Sequence, residues 1–176
     1  MGLLNWRKLE EHFGTDSEYL GFLRDSPSAA QRLCHILSNS RFLGDALNKS
    51  VESVTWLGSD NDLQPRSRES LDGQTHASLE RNAGSINDFA NSIRAMRRHE
   101  IERIGLGWMS GVIDDKASLA GMTDVYDAAI DASLTWAIRH QTQEMGLDEA
   151  PAAIAVIGMG RYGGREVNFS SDADVI

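Results

Sequence analysis

Ala155-Val156-Ile157-Gly158-Met159-Gly160-Arg161-Tyr162-Gly163-Gly164-Arg165-Glu166-Val167-Asn168-Phe169-Ser170-Ser171-Asp172-Ala173-Asp174-Val175-Ile176 carries most of the information in this chain. An apolar run meets a glycine-rich turn. A second apolar run follows, and it bears two carboxylates separated by a single residue. As a strand, Asp172 to Ile176 puts Asp172 and Asp174 on one face, with Ala173 and Val175 on the other. Two carboxylates on one face, beside backbone amides able to meet phosphate oxygens, make a candidate site for Mg²⁺ and a nucleoside triphosphate. A lone Asp-x-Asp is more often a turn or a helix cap. The glycine turn and the carboxylate pair together, on adjoining predicted strands, shift the balance toward chemistry.

A competing motif overlaps these residues. Gly158-Met159-Gly160-Arg161-Tyr162-Gly163 matches the dinucleotide-binding pattern G-x-G-x-x-G letter for letter. That pattern needs a helix opening at the third glycine and a crossover of about a dozen residues or more. Only Gly164 to Ser171 separate the third glycine from the next predicted strand, so the Rossmann reading loses.

Composition narrows the rest. The chain has 176 residues, 41% hydrophobic and 24% charged, which suits one soluble domain or one domain and part of another. A net charge of −9 argues against a broad grip on nucleic acid. The single cysteine, Cys34, excludes an intrachain disulfide and points to the reducing cytoplasm, and it reads as a small buried helix residue. No apolar stretch approaches a membrane span, and the N-terminus lacks a signal-peptide core. His12, His35, His76, His99 and His140 lack the spacing of a zinc site.

Upstream of about residue 148 the pattern is helical. Leu3, Leu4, Trp6, Leu9 and Phe13 share one predicted face, and Tyr19, Leu20, Phe22 and Leu23 a second. Ser26 with Pro27 starts a helix through Ala30, Leu33, Cys34 and Leu37. Ser40 caps the next, with Phe42, Leu43, Ala46 and Leu47 as its stripe. Val54, Trp56 and Leu57 form an apolar knot. Gly58 to Arg68 reads as a loop, Glu69 to Arg81 as a polar helix, and Ser85 as the cap of a long helix through Ile104. On that helix Arg94, Arg97, Arg98, His99, Glu100, Glu102 and Arg103 read first as a solvated charged face. Thr123 is expected to cap a further long helix, with Asp124 and Asp127 in its first turn. Gly146 ends it, and Pro151 precedes a strand at Ala152 to Ile157. The chain then stops inside a strand, which reads as a piece of a longer protein expected to be inactive by itself.

Residues Gly158 to Glu166 and Asn168 to Ile176 together resemble the signature of the glutamate-ammonia-ligase adenylyltransferases. These bifunctional enzymes attach AMP to a tyrosine of glutamine synthetase and remove it. Arg97-Arg98-His99-Glu100-Ile101-Glu102-Arg103-Ile104-Gly105 is similar to the family's Arg-rich helix, and Ser26-Pro27 through Arg32-Leu33 to Ser40-Arg41-Phe42-Leu43 also matches. The resemblance implies an α-helical region over 1–150, followed over 151–176 by the start of an α/β (α+β) nucleotidyltransferase domain of the DNA polymerase β-like superfamily, here truncated. It implies that Asp172 and Asp174 are catalytic metal ligands, with a third carboxylate on a later strand beyond Ile176. Gly158, Gly160, Arg161, Gly163, Gly164 and Ser171 are the implied nucleotide-binding residues. Mg²⁺ is the implied cofactor and ATP the substrate, its α-phosphate attacked in line by the tyrosine hydroxyl. Glutamine synthetase and a PII-type signal-transduction protein are the implied partners. Asn168 to Asp172 looks like the removing half of the family, whereas Ala152 to Arg161 and the helices upstream look more like the adding half, toward which the reading leans. Met159 departs from the small residue that relatives place near it. A rival class is a non-catalytic helical docking or regulatory module formed by residues 1–150.

Overall fold

Short polar residues and Pro27 punctuate the first third of the chain, and its helices follow that punctuation. The computed structural model describes residues 2–176. They fall into two compact units, one comprising residues up to Pro65 with Glu102–Ser118, the other Arg66–Ile101 with Leu119–Ile176.

In the first unit, α1 (Gly2–Phe13), α2 (Ser17–Asp25), α3 (Pro27–Asn39), α4 (Arg41–Leu47) and α5 (Val51–Thr55) precede a 3₁₀ turn at Trp56–Gly58. The Asp16 side chain caps α2 by accepting from the Glu18 and Tyr19 amides. Ser40 Oγ accepts from the Leu43 amide at 3.1 Å, as expected of a cap. Pro27 opens α3 with Ser26 as its N-cap, although the Ser26 side chain makes no capping bond. The core gathers Leu9, Leu33, Ile36, Leu37, Leu47 and Leu57, joined by the expected knot of Val54 and Trp56.

Two helical faces are turned relative to the sequence reading. On α3 the buried positions are Ala29, Leu33, Ile36 and Leu37, so Cys34 is exposed rather than buried. On α1, Leu3 and Leu4 are 89% and 61% exposed, whereas Asn5 is buried and donates its Nδ2 to the Leu37 carbonyl at 2.9 Å. A polar residue that satisfies a buried carbonyl can lie inward, and hydrophobicity counting does not see it.

The charged cluster is likewise only partly a solvated face. Arg103 is 5% exposed, lies with its guanidinium 4.0 Å over the Trp56 ring, and donates to the Asp62 carbonyl. That is a cation–π contact together with a charge-assisted hydrogen bond. In the second unit Glu100, 1% exposed, accepts from Arg66 Nε at 3.1 Å.

Tyr19 offers a stability test. It is 2% exposed, its hydroxyl has no partner, and burial pushes its pKa up to about 12, with Glu10 and Cys34 adding to the shift. Removing an unpartnered buried hydroxyl without changing the ring relieves a desolvation cost, so Tyr19→Phe should stabilise by about 1 kcal/mol. Denaturant titration checks this, and a loss of that size would refute it. Because the folded-state pKa is raised, the tyrosine's contribution is complete below its ordinary value of 10.0 and disappears as pH rises through about 12. Tyr19→Phe should therefore flatten the alkaline limb of the stability profile.

The second unit takes α6 (Arg68–Arg81) and parts of α7 (Ile86–Met109) and α8 (Asp115–Glu144), each of the latter two helices contributing to both units. Ser67 caps α6 and Ser85 Oγ accepts from the Asp88 amide near the start of α7. Leu71, Thr75, Ser78 and Leu79 are the buried face of α6, and Ser78 Oγ donates to Ser92 Oγ of α7 at 2.6 Å. Phe89 of α7 stacks on Trp136 of α8 with ring centroids 5.9 Å apart.

Helix α8 starts earlier than the sequence suggests. Asp114, not Thr123, supplies the cap, its carboxylate accepting from the Ala117 amide at 2.7 Å. Thr123 sits inside the helix and donates its hydroxyl to the Leu119 carbonyl at 2.8 Å. A threonine satisfied on the preceding turn gives no start signal. Asp124 and Asp127 are therefore interior residues, outside the first turn and its dipole. The C-terminal reading holds: the helix ends at Glu144 and Gly146 takes the left-handed conformation at φ 67°.

The strands expected at 152–157 and 172–176 do not form as strands. Among the described residues the β-pairing is an isolated antiparallel bridge, Gly158 with Val175. Ile157 and Ile176 exchange both backbone hydrogen bonds, and the Met159 amide donates to the Asp174 carbonyl at 2.8 Å. Two short segments without further neighbours give too little pairing for a sheet. The helical region is thus shown. No helix of the described residues is long and apolar enough to cross a membrane.

Candidate active site

The glycine-rich segment folds as a single turn of helix, α9 (Gly160–Gly163), entered from extended backbone at Met159. It closes as a Schellman motif: the Glu166 amide donates to the Arg161 carbonyl at 2.8 Å and the Arg165 amide to the Tyr162 carbonyl at 3.1 Å. The left-handed position of that motif usually holds glycine, but here it holds Arg165 at φ 57°. A side chain there costs roughly 1–2 kcal/mol. Close packing explains Gly163: a Cβ at this position would stand 2.3 Å from the Gly158 carbonyl oxygen. Gly160 is left-handed at φ 53°, and its bare α-carbon faces Asp174, whose Oδ2 would lie 3.7 Å from an added Cβ.

Helix α8 holds this turn in place. The Tyr162 hydroxyl donates to Asp127 Oδ1 at 2.6 Å. Burial first, and then this bond, raise the Tyr162 phenol well above its ordinary pKa. Arg165 pairs with Asp124 at 2.6 Å and with Asp127 at 3.4 Å. Arg68 of α6 completes the group, reaching Asp127 at 3.3 Å, Asp72 at 2.7 Å, and Asp131. The Asp124 bond is the main reason the Arg165 guanidinium holds its proton more tightly than usual. For Arg68, burial opposes the charge, and the bonds to Asp72 and Asp131 outweigh it. A cleft of about 310 Å³ opens beside this network, lined by Thr123, Asp127, Ile130, Asp131, Val156, Gly158, Tyr162, Gly163 and Arg165.

The carboxylates lie elsewhere in the same unit. Asn168 to Ser171 forms a tight turn around one side chain: Asn168 Oδ1 accepts from Ser170 N, Ser170 Oγ and Ser171 Oγ, each at 3.0 Å. Ser171 Oγ also accepts from the Asn168 amide at 3.2 Å, so this hydroxyl is engaged within the turn. Val167, fully buried, anchors the approach. Beyond the turn, Asp172 and Asp174 are exposed while Ser171 and Ala173 are half-buried, an alternation that stops at Val175, which is exposed and not on a covered face as expected. Among the described residues neither aspartate side chain has a hydrogen-bond or ion-pair partner, and no group of three or more His, Cys, Asp or Glu is placed to hold a metal. Arg161 is exposed.

The structure therefore brings Asp174 beside Gly160, with Gly158 and Gly163 packed on one another. Asp172 and Asp174 follow on one side of the extended segment. Asp124, Asp127, Asp131, Arg68, Tyr162 and Arg165 escaped the sequence reading as a group. Their signal was present: aspartates at positions 124, 127 and 131 recur at helical spacing. Misplacing the start of α8 hid it.

A sequence model of the family described as glutamate-ammonia ligase adenylyltransferase matches residues 30–176. The chain belongs to this family. A bifunctional glutamine synthetase adenylyltransferase/adenylyl-removing enzyme of Bifidobacterium longum (strain DJO10A) is 77% identical over 176 residues, covering 100% of this chain and 16% of its own length. The enzyme of the same description from Leifsonia xyli subsp. xyli is 39% identical over 175 residues, with 99% of this chain and 17% of its own length covered. That of Mycobacterium tuberculosis (strain CDC 1551 / Oshkosh) is 36% identical over 178 residues, with 99% and 18% covered. The chain spans about a sixth of the length of these adenylyltransferase relatives. The adenylyltransferase match takes in the glycine turn, both candidate carboxylates, and the α8 residues that hold the turn.

The dinucleotide-binding alternative has no support in this geometry. A βαβ crossover joins parallel strands through a full helix. Here α9 has four residues, and the segments it joins meet antiparallel.

Proposed function

We propose that this chain carries part of an adenylyl-transfer site that acts on a tyrosine of glutamine synthetase. In this reading residues 151–176 open a nucleotidyltransferase domain of the DNA polymerase β-like superfamily, after a helical region over 1–150. The observation that carries it is the unpartnered carboxylate of Asp174 standing beside the left-handed Gly160, with Asp172 two residues before it. Exposed carboxylates without protein cations are oxygen donors of the type that Mg²⁺ selects, so the residues present fit the metal. Asp172 and Asp174 would hold it. When bound, Mg²⁺ neutralises charge on the phosphoryl oxygens of ATP.

The chain's own groups do the rest. The glycine turn sets the backbone of Gly160 beside Asp174, and the left-handed φ of 53° at that position favours glycine. Arg161 presents a guanidinium whose fork suits phosphate oxygens. Exposure of Asp172 and Asp174 leaves them open to a substrate entering from solvent. Cysteine usage adds the reducing cytoplasm as the setting, and the family resemblance a PII-type protein as a further partner.

The test uses the full-length enzyme carrying this chain, glutamine synthetase, labelled ATP and Mg²⁺, with attachment and removal of AMP assayed separately. Loss of one activity in Asp172→Asn is the expected result, and it also identifies which direction this site serves. Retention of both activities would favour the docking module instead.

A further inference from the structure

The anchoring network stands apart from the carboxylates, and the adenylyl-transfer reading gives it no role. Three features of the turn need explanation together. Tyr162 is 8% exposed, yet its hydroxyl is not left to water and bonds an aspartate on α8. Arg165 accepts an unfavourable left-handed backbone, and from that position its guanidinium spans Asp124 and Asp127. The Tyr162 ring packs against Gly158, where an added Cβ would meet it at 3.0 Å. The first two join the turn to a long helix, the third closes the segment on itself, and all lie within a few residues of Gly160, which faces Asp174.

We propose that Tyr162 and Arg165 are positioning residues: bound to Asp127 and Asp124, they fix the glycine turn on α8 so that the phosphate-bearing small substrate meets the carboxylates in register. The proposal rests on the adenylyl-transfer reading and deepens it. A four-residue helix has little stability of its own, because nucleating a turn fixes several dihedrals for one hydrogen bond. Left to its local bonds the turn would fluctuate. A fluctuating turn spends less of its time in the arrangement that binds substrate, and apparent affinity falls by that fraction. Asp127 is the shared acceptor, taking the tyrosine hydroxyl's hydrogen bond on one oxygen and the two arginines on the other. Arg68 keeps the helix side of this arrangement charged and oriented through Asp131 and Asp72.

A purely structural role and a positioning role predict different kinetics. Weaker folding lowers the active fraction, which lowers kcat and leaves KM unchanged. A loosened turn weakens the grip on the small substrate and raises its KM while the protein stays folded. The small substrate is ATP if this site adds AMP, and inorganic phosphate if it removes it.

The experiment again uses the full-length enzyme and follows the activity that Asp172→Asn abolishes. Tyr162→Phe removes one hydroxyl and keeps the ring. It should raise the small-substrate KM about tenfold, the weight of one hydrogen bond to a charged acceptor. The KM for glutamine synthetase should not move, and the protein should remain folded at the assay temperature. Asp127→Ala, which removes the acceptor itself, should act similarly, and adding Tyr162→Phe to it should cost nothing further, since the contact is already gone. Arg165→Lys, which keeps the charge and loses the two-pronged reach, carries the same expectation where Tyr162→Phe folds poorly. An unchanged small-substrate KM in Tyr162→Phe and Arg165→Lys, with Asp172→Asn inactive, would overturn the positioning role alone. Full activity in Asp172→Asn and Asp174→Asn would overturn the underlying reading instead.

Discussion

Asp172→Asn or Asp174→Asn, in the full-length enzyme, is expected to lower the affected AMP-transfer activity by about a thousandfold or more. Asparagine keeps the shape and removes the negative oxygen that a hard divalent cation selects. Metal assistance supplies several kcal/mol to phosphoryl chemistry, and about 1.4 kcal/mol is tenfold in rate. The fold should not notice. Both side chains are exposed and unpartnered, so no native contact is lost and the unfolding midpoint should match wild type. Initial rates at saturating substrate, set beside a thermal melt, separate the two effects. Activity within about tenfold of wild type would remove these aspartates from the chemistry.

Gly163→Ala should be the second most damaging single change. The added methyl would stand 2.3 Å from the Gly158 carbonyl oxygen and 2.8 Å from its carbon. Both are backbone atoms, which cannot swing aside as a flexible side chain can. The turn must therefore move off Gly158, carrying Gly160 away from Asp174. A shift of about 1 Å at a positioned site costs on the order of a hundredfold in rate. Overpacking should also cost roughly 1–3 kcal/mol of stability. Gly73→Ala on α6 is the control, since a Cβ there meets nothing within 4 Å. It should be active and more stable by about 0.5–1 kcal/mol. Comparable kcat/KM for the two alanine variants would mean the Gly158–Gly163 contact is dispensable.

Much of the helical region was legible because its signals are local. Ser40 and Ser85 cap where a short hydroxyl meets an apolar rhythm, and Gly146 stops α8 where a left-handed residue is needed. What failed was information held between elements. Cys34 reads as apolar on composition, but its side of α3 faces away from the helices that bury Leu33 and Leu37. Asn5 is inward because the Leu37 carbonyl needs a donor, and no window along α1 reveals that. Glu100 and Arg103 look solvated in a charged run, yet they are buried by Arg66 in one unit and Trp56 in the other.

At the site the sequence was informative about the letters and silent about their partners. Asp172 and Asp174 stood out by spacing. Gly163 was expected to clear space for a triphosphate, whereas its immediate need is the Gly158 carbonyl. Ser171 was grouped with the nucleotide ligands, whereas its hydroxyl already closes the Asn168 turn. Asp127 was expected to favour a helix dipole and instead accepts a hydrogen bond from the Tyr162 hydroxyl.

The Arg165 pairings have one more consequence, and it concerns the ionic medium. The Arg165 side chain is 53% exposed and that of Asp124 24%, so their attraction runs partly through solvent. Mobile ions shorten the reach of such attraction from about 10 Å at 0.1 M to about 3 Å at 1 M. The apolar core around Leu33, Leu47 and Leu57 has no comparable sensitivity. Added potassium chloride should therefore loosen the glycine turn long before it unfolds the first unit. In an assay this would look like competitive inhibition, with the small-substrate KM climbing at constant kcat, although no ion occupies the substrate's place. Tyr162→Phe, whose turn leans more heavily on the Arg165 pairs, should show a steeper rise than wild type.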